Sequence, residues 1–223
     1  AGCVAFTQGL NPMGSNRILR RALEYAATFD VPIIFTPLDP SLAEGGMAHE
    51  GPTASRLGLI GIPESAETVA LARDLLLIEQ TGVRAHFSGL TSARAVDMLA
   101  TAQALGLPVT ADVAAYQLLL CDEDLNGFSS LLHVMPPLRS AADRRALREA
   151  VQSGIVQAIA SHHRPHEPEV KRVPFAASAP GISSVEILLP LALTLVADGL
   201  LELPALLSRL TTGPAAALNL QAG

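Results

Sequence analysis

The stretch VRAHFSGLTSARAVDMLATAQALGLPVTADV, residues 83–113, holds one whole structural unit. Val83–Gly89 is a short apolar run. Thr91–Gly106 follows with helical period, opening on a Thr-Ser cap and closing on a glycine, as helix ends favour. Pro108–Val113 is the next apolar run. Similar runs occur at Ala1–Thr7, Val31–Pro37, Leu131–Pro136 and Ile155–Ser161. Most are apolar on consecutive positions rather than on alternate ones, the pattern of strands buried on both faces of a parallel sheet. Helical segments separate them. Asn16–Phe29 sets Ile18, Leu19, Ala22 and Ala26 on one face, Ser65–Gly82 is rich in leucine, and Ser140–Gly154 has a serine cap and Asp143 in its first turn. Asp39–Pro63 and Arg164–Gly181 read as long loops, the usual place for lids or partner contacts in an α/β domain.

Strand–helix alternation fits either a doubly wound sheet or a (β/α)8 barrel. No G-x-G-x-x-G or Walker-type loop follows the first strand, which removes the main support for a nucleotide-binding sheet. The sequence therefore predicts an α/β fold of the (β/α)8 TIM type, residues 1–223 forming one incomplete barrel domain with about six of the eight strands. Six strands cannot close a barrel of that shear, and bare apolar edges invite aggregation. Two further β-α units are expected before Ala1.

The 223 residues are 49% hydrophobic and 16% charged, enough apolar material for a sizeable core. Fifteen Lys and Arg stand against 21 Asp and Glu, a net charge of −6 with no basic cluster, so nucleic acid is not an expected partner. Mean hydropathy is +0.36, yet no segment reaches the roughly 20 apolar residues of a membrane helix. In Leu188–Leu200, Pro190 interrupts the apolar run and few basic residues flank it, so it reads as a barrel-covering helix. Cys3 and Cys121 lack metal-type spacing and suit a reducing cytoplasm.

Several blocks resemble the dihydroorotase family, in family order across nearly the whole chain: EGGMAHEG (44–51), LLLCDED (118–124), MPPLRS (135–140), HHRPHEPEVK (162–171), APGISSVE (179–186) and TTGPA (211–215). The resemblance implies an amidohydrolase barrel that uses zinc to interconvert carbamoyl-aspartate and dihydroorotate, with its His-x-His metal pair on a strand preceding this chain. A catalytic zinc needs several N, O or S ligands and an open position for water. At the positions where the resemblance puts such groups, this chain differs. Gln8 stands for an Asp, Thr36 for the His of His-Cys-Glu-Asp-Pro, and Gly89 for the second His of His-Val-Cys-His. Met135 stands for the Asn before Pro-Pro-Leu-Arg, and His162 for the acid–base Asp of Thr-Asp-His-Ala-Pro-His. The resemblance thus implies a pseudoenzyme with no catalytic residue and no cofactor, a non-catalytic member of pyrimidine biosynthesis. Inactive paralogues of this kind partner the catalytic chains of aspartate carbamoyltransferase, so that transferase and a homo-oligomeric state are the expected partners.

Two other readings compete. One is a working zinc dihydroorotase or other cyclic amidase, with ligands supplied largely from outside this chain; the other is a small-molecule binding module. His162, His163 and His166 lie on one short loop without a carboxylate nearby, a weak metal signature; His163 and His166, with His86 from an earlier strand, are the weak metal candidates. Arg139 is the residue suited to hold an anion bidentately, or equally to bridge two loops.

Overall fold

A computed structural model of the chain describes residues 3–9 and 12–221. Its strands are β1 (Phe6–Thr7), β2 (Ile33–Phe35), β3 (Ala48–His49), β4 (Gly61–Ile62), β5 (Ala85–Phe87), β6 (Val109–Ala114) and β7 (Ala158–Ala160). Its α-helices are α1 (Asn16–Thr28), α2 (Pro52–Leu57), α3 (Ser65–Thr81), α4 (Ala93–Ala104), α5 (Ala141–Ser153), α6 (Pro168–Lys171), α7 (Leu188–Ala197), α8 (Leu203–Leu210) and α9 (Thr212–Ala217). One sheet has the order β1-β2-β5-β6-β7, all parallel, and β3 pairs with β4 in a small second sheet. Spatial order in the main sheet follows chain order with no reversal. A doubly wound sheet must reverse at a switch point, whereas a barrel need not. The fold is a partial TIM-type barrel.

Alternation along the strands separates two layers. Ile33, Phe35, Ala85, Phe87, Val109, Ala111, Val113 and Ile159 pack under the helices with Leu19, Leu71, Ile78, Leu99, Leu147 and Val151. The other parity, Ile34, His86, Asp112, Ala158 and Ala160, lines a cavity of about 180 Å³ on the inner face, with Pro214, Ala217 and Leu218 at the end of the chain against it. Two polar residues therefore point inward from adjacent strands, and they found the site described below.

Three expectations need correction. Leu131–Pro136 is not a strand. Ser130–Leu132 is a 3₁₀ turn, Val134 is buried in a second small apolar cluster, and Pro136 and Pro137 have no N–H to give a ladder. Gln117 Nε2 satisfies the carbonyls of Pro136 and Pro137, each at 3.3 Å. The main sheet thus has five described strands rather than six. Asp39–Pro63 is not a plain loop but a β3-α2-β4 unit. Pro52 starts α2, Gly58 ends it in the left-handed region at φ 66°, and the chain returns to pair Ala48 with Gly61. Arg164–Gly181 likewise contains α6 and a 3₁₀ turn at Phe175–Ala177. In the first strand, Ala1 and Gly2 lie outside the described residues, and Phe6–Thr7 is the paired part.

A buried arginine fastens the β3-α2-β4 unit to the barrel. Arg139 is 2% exposed. Its Nε donates to Thr91 Oγ1 at 3.0 Å, and its Nη1 donates to Ile62 O at 3.0 Å and to His49 Nδ1 at 3.1 Å. Thr91 in turn donates its N–H (2.6 Å) and hydroxyl (2.8 Å) to the carboxylate of Glu67, itself 1% exposed. Burial pushes the Glu67 carboxyl up, opposed by the Arg139 charge and the Thr91 bonds. Burial, helped by Arg139, pushes the His49 imidazole down. A neutral His49 is thus the acceptor Arg139 needs. Breaking one partner of a buried charge pair strands the other. Arg139→Met is expected to lower unfolding free energy by about 3–5 kcal/mol in urea titrations. Arg139→Met/Glu67→Leu is expected to lose less than the single substitution.

Candidate functional site

Catalytic chemistry in barrels sits at the C-terminal ends of the strands. There a cleft of about 540 Å³ is lined by Ser88, Tyr116, Met135, Ser161, His162 and Arg164, among others. Asp112, on β6 and 6% exposed, lines the inner cavity rather than this cleft and is tied to the cleft through His162. Asp112 Oδ1 accepts from His162 Nε2 at 2.7 Å and from the Gly89 N–H at 2.8 Å. Oδ2 accepts from His86 Nε2 at 3.0 Å. The other ring nitrogen of His86 meets Thr110 Oγ1 at 2.8 Å. Burial alone would raise the Asp112 carboxyl; the bonds and charges of His162 and His86 outweigh it and hold it well below the usual range. Burial alone would lower His162, but its bond to Asp112 raises it. Burial, then the Asp112 charge, pushes the Tyr116 phenol up.

Asp112 was not singled out from the sequence, where it is one acid among apolar neighbours in Pro108–Val113. That isolation was the available signal: a carboxylate inside a two-sided strand must face a partner. The structure brings His86 and His162 together around it. His163 and His166 are drawn elsewhere. His163 Nδ1 accepts the N–H groups of Ser184 (3.0 Å) and Val185 (3.1 Å), and His166 Nε2 donates to Pro180 O at 3.0 Å. Gln8 accepts the Met13 N–H at 2.8 Å. Thr36 follows β2 half-buried, and Met135 lines the cleft. Arg139 lies in the buried network described above rather than on the cleft wall.

Gly89 explains the arrangement. Its φ is +77°, and a Cβ built there would lie 2.7 Å from His162 Cε1. The imidazole of His162, itself at φ 46°, fills the space a side chain at position 89 would enter.

The class defined by this fold is the parallel (β/α)8-type barrel. L-hydantoinase from Arthrobacter aurescens superposes with a TM-score of 0.82 over 96% of this chain and 49% of that one, at 24% identity. A D-hydantoinase from Thermus sp. gives 0.77 at 19% identity, over 96% and 49% of the two chains. A family profile described as "Dihydro-orotase-like" matches residues 1–95. The whole chain is 72% identical to a "Dihydroorotase-like protein" of Pseudomonas aeruginosa and 41% identical to a "Dihydroorotase" of Syntrophobacter fumaroxidans, covering 52% and 51% of them. The chain belongs to the dihydroorotase-like family, and it spans about half the length of the curated relatives it matches.

The family implies zinc, and the residues present do not fit it. Three N–H donors already occupy most of the roughly four lone-pair positions of the Asp112 carboxylate. His162 directs Nε2 at that carboxylate, and its ring fills the space a side chain at position 89 would enter. Among the described residues no three His, Cys, Asp or Glu side chains are arranged to hold an ion.

Two outcomes test this geometry. Gly89→Ala is expected to cost about 2 kcal/mol, part from the left-handed backbone and part from collision with the ring; in a His162→Ala background the collision part disappears. The pH dependence has a worked sign. Asp112 is depressed, so its contribution is present above the ordinary 3.8 and is lost as pH falls through its folded value. His162 is raised, so its contribution is full below the ordinary 6.5 and is lost as pH rises through its folded value. The difference in unfolding free energy between the native protein and Asp112→Asn should therefore be largest between pH 3.8 and 6.5 and shrink on both sides.

Proposed function

We propose that the chain is a non-catalytic dihydroorotase-like element of cytoplasmic pyrimidine biosynthesis whose role is structural, as an assembly partner for the catalytic chains of aspartate carbamoyltransferase. One observation supports this reading: at the strand ends Asp112 already accepts from His86, His162 and the Gly89 N–H. Without a metal-bound hydroxide or an available carboxylate base, the amide carbonyl has no strong nucleophile near neutral pH. His162 is hydrogen-bonded to an anion that stabilises its protonated form, so it does not serve as the base either. The transferase is proposed from the family resemblance.

A working zinc dihydroorotase is the second reading, favoured by relatives at 41–43% identity that carry the name Dihydroorotase. The experiment separates the two on the full-length protein. Expected are less than 0.1 zinc per chain by elemental analysis, on the order of background, and no turnover of dihydroorotate or carbamoyl-aspartate. Mixed with the transferase, it is expected to co-elute as one larger particle in size-exclusion chromatography with light scattering. Stoichiometric zinc with chelator-sensitive activity would establish the second reading; separate elution at micromolar concentration would remove the assembly role.

A further inference from the structure

The cleft at the strand ends holds donors that the chain itself leaves unused. Tyr116 is 3% exposed and lines the cleft, and its hydroxyl has no hydrogen-bond partner among the described residues. Burial keeps the phenol protonated, so it is a neutral O–H donor. His163 also lines the cleft, and its tautomer is fixed. Its Nδ1 accepts the N–H groups of Ser184 and Val185, which puts the ring hydrogen on Nε2, unpartnered among the described residues. His162 gives its Nε2 hydrogen to Asp112 and leaves Nδ1 free; the same bond favours the charged ring, in which Nδ1 carries a hydrogen too. Arg164 adds a full positive charge to the lining. Its backbone N–H donates to Ile182 O at 2.9 Å, but its guanidinium makes no ion pair among the described residues. Its stem lies over Gly181, where a Cβ would come within 3.0 Å of Arg164 Cγ. Beside it, burial and then the Arg164 charge push the Lys171 ammonium down, with no carboxylate offsetting them.

We infer that this cleft is a binding site for a phosphate monoester, its phosphate held by Arg164, His162, His163 and Tyr116 and its organic group against Met135 and Ala160. The donor set selects an anion. Every free polar group named above donates, and Asp112, the acid next to His162, is already taken by three N–H groups. The same set favours phosphate over carboxylate. A carboxylate is planar and accepts in one plane, whereas a phosphate ester offers three terminal oxygens in three directions and up to two charges. Here the donors come from two different segments, Tyr116 from the 3₁₀ turn after β6 and the other three from the chain after β7. An ester is favoured over free phosphate because the rest of the lining is apolar: Met135, Ala160 and the Tyr116 ring give an organic group a surface to cover. At about 540 Å³ the cleft has room for both parts. The inference rests on the metal-free cleft proposed above, so zinc is measured on the same sample.

Isothermal titration calorimetry of the full-length protein in chelator-treated buffer tests it, with phenyl phosphate, inorganic phosphate and benzoate as probes. Phenyl phosphate is expected to bind with a dissociation constant of about 10–100 µM, and each of the other two at least about tenfold more weakly. Arg164→Ala is expected to weaken phenyl phosphate at least about tenfold and Tyr116→Phe about threefold, with unchanged circular dichroism. Arg172→Ala, exposed and outside the cleft lining, is expected to leave binding as it is. Benzoate binding as tightly would make the site one for carboxylates, and inorganic phosphate binding as tightly would remove the ester; either overturns the inference. So would binding that ignores Arg164→Ala and Tyr116→Phe, or that falls equally with Arg172→Ala. Stoichiometric zinc would overturn the metal-free reading, whereas a zinc-free protein that binds no phenyl phosphate would overturn this site alone.

Discussion

One negative charge inside the barrel determines how the strand ends are arranged. Asp112 is on an inward position of β6, where an unpaired carboxylate would cost several kcal/mol or give up its charge. Three donors resolve that cost, and each comes from a different place: His86 from β5, the Gly89 N–H from the turn after β5, and His162 from the segment after β7. A single side chain thus ties together the C-terminal ends of three consecutive strands. The arrangement has backbone consequences. Gly89 sits at φ +77° with its amide aimed at the carboxylate, and His162 sits at φ 46° so that its ring reaches back over Gly89. The glycine makes room for the histidine, since a Cβ at position 89 would lie 2.7 Å from its ring.

Arg139 does at the barrel's rim what Asp112 does inside. Its guanidinium joins Thr91, Ile62 and His49, and through Thr91 reaches Glu67 on α3. Both networks place a charge in low dielectric and hold it with fixed partners, although Arg139 Nη2 is buried without one. Such networks are high-stakes: they stabilise little over an apolar core, but they penalise every alternative packing that would leave a charge without its partners. They specify where the strand ends and the β3-α2-β4 unit sit. Thr91 belongs to the same post-β5 segment as Gly89, so the two networks meet there.

The architecture was legible because the β-α-β unit at 83–113 has unmistakable period and caps, and parallel strands buried on both faces read as apolar runs. The run at Leu131–Pro136 misled for a physical reason. Its residues are buried, but two prolines withhold ladder donors, and burial in a small satellite cluster gives the same apolar string as a strand. The β3-α2-β4 unit was invisible because its strands are two residues long and their pairing is a tertiary fact. At the site, the substitutions at Gly89 and His162 could be read one at a time. Their mutual fit could not, because it joins residues 73 apart in sequence: a Cβ at position 89 would lie 2.7 Å from the His162 ring. Asp112 carries no motif. Its importance is set by what faces it across the sheet.

A metal site and an internal salt-bridged cluster are alternative ways to satisfy the same inward-pointing polar side chains. A hydrolase must keep its site incompletely satisfied, with an open coordination position and a base whose lone pair is free, and it gives up local stability for that. Here Asp112 has found three donors from the chain itself, and the space beside Gly89 is filled by an imidazole. In the non-catalytic role proposed above, a satisfied site trades reactivity for order. A rigid barrel end, with two structured segments seated beside it, keeps its outer helices in fixed register. That is the property an element of an assembly requires: its surface must hold the same shape in every copy, because symmetry multiplies any misplacement.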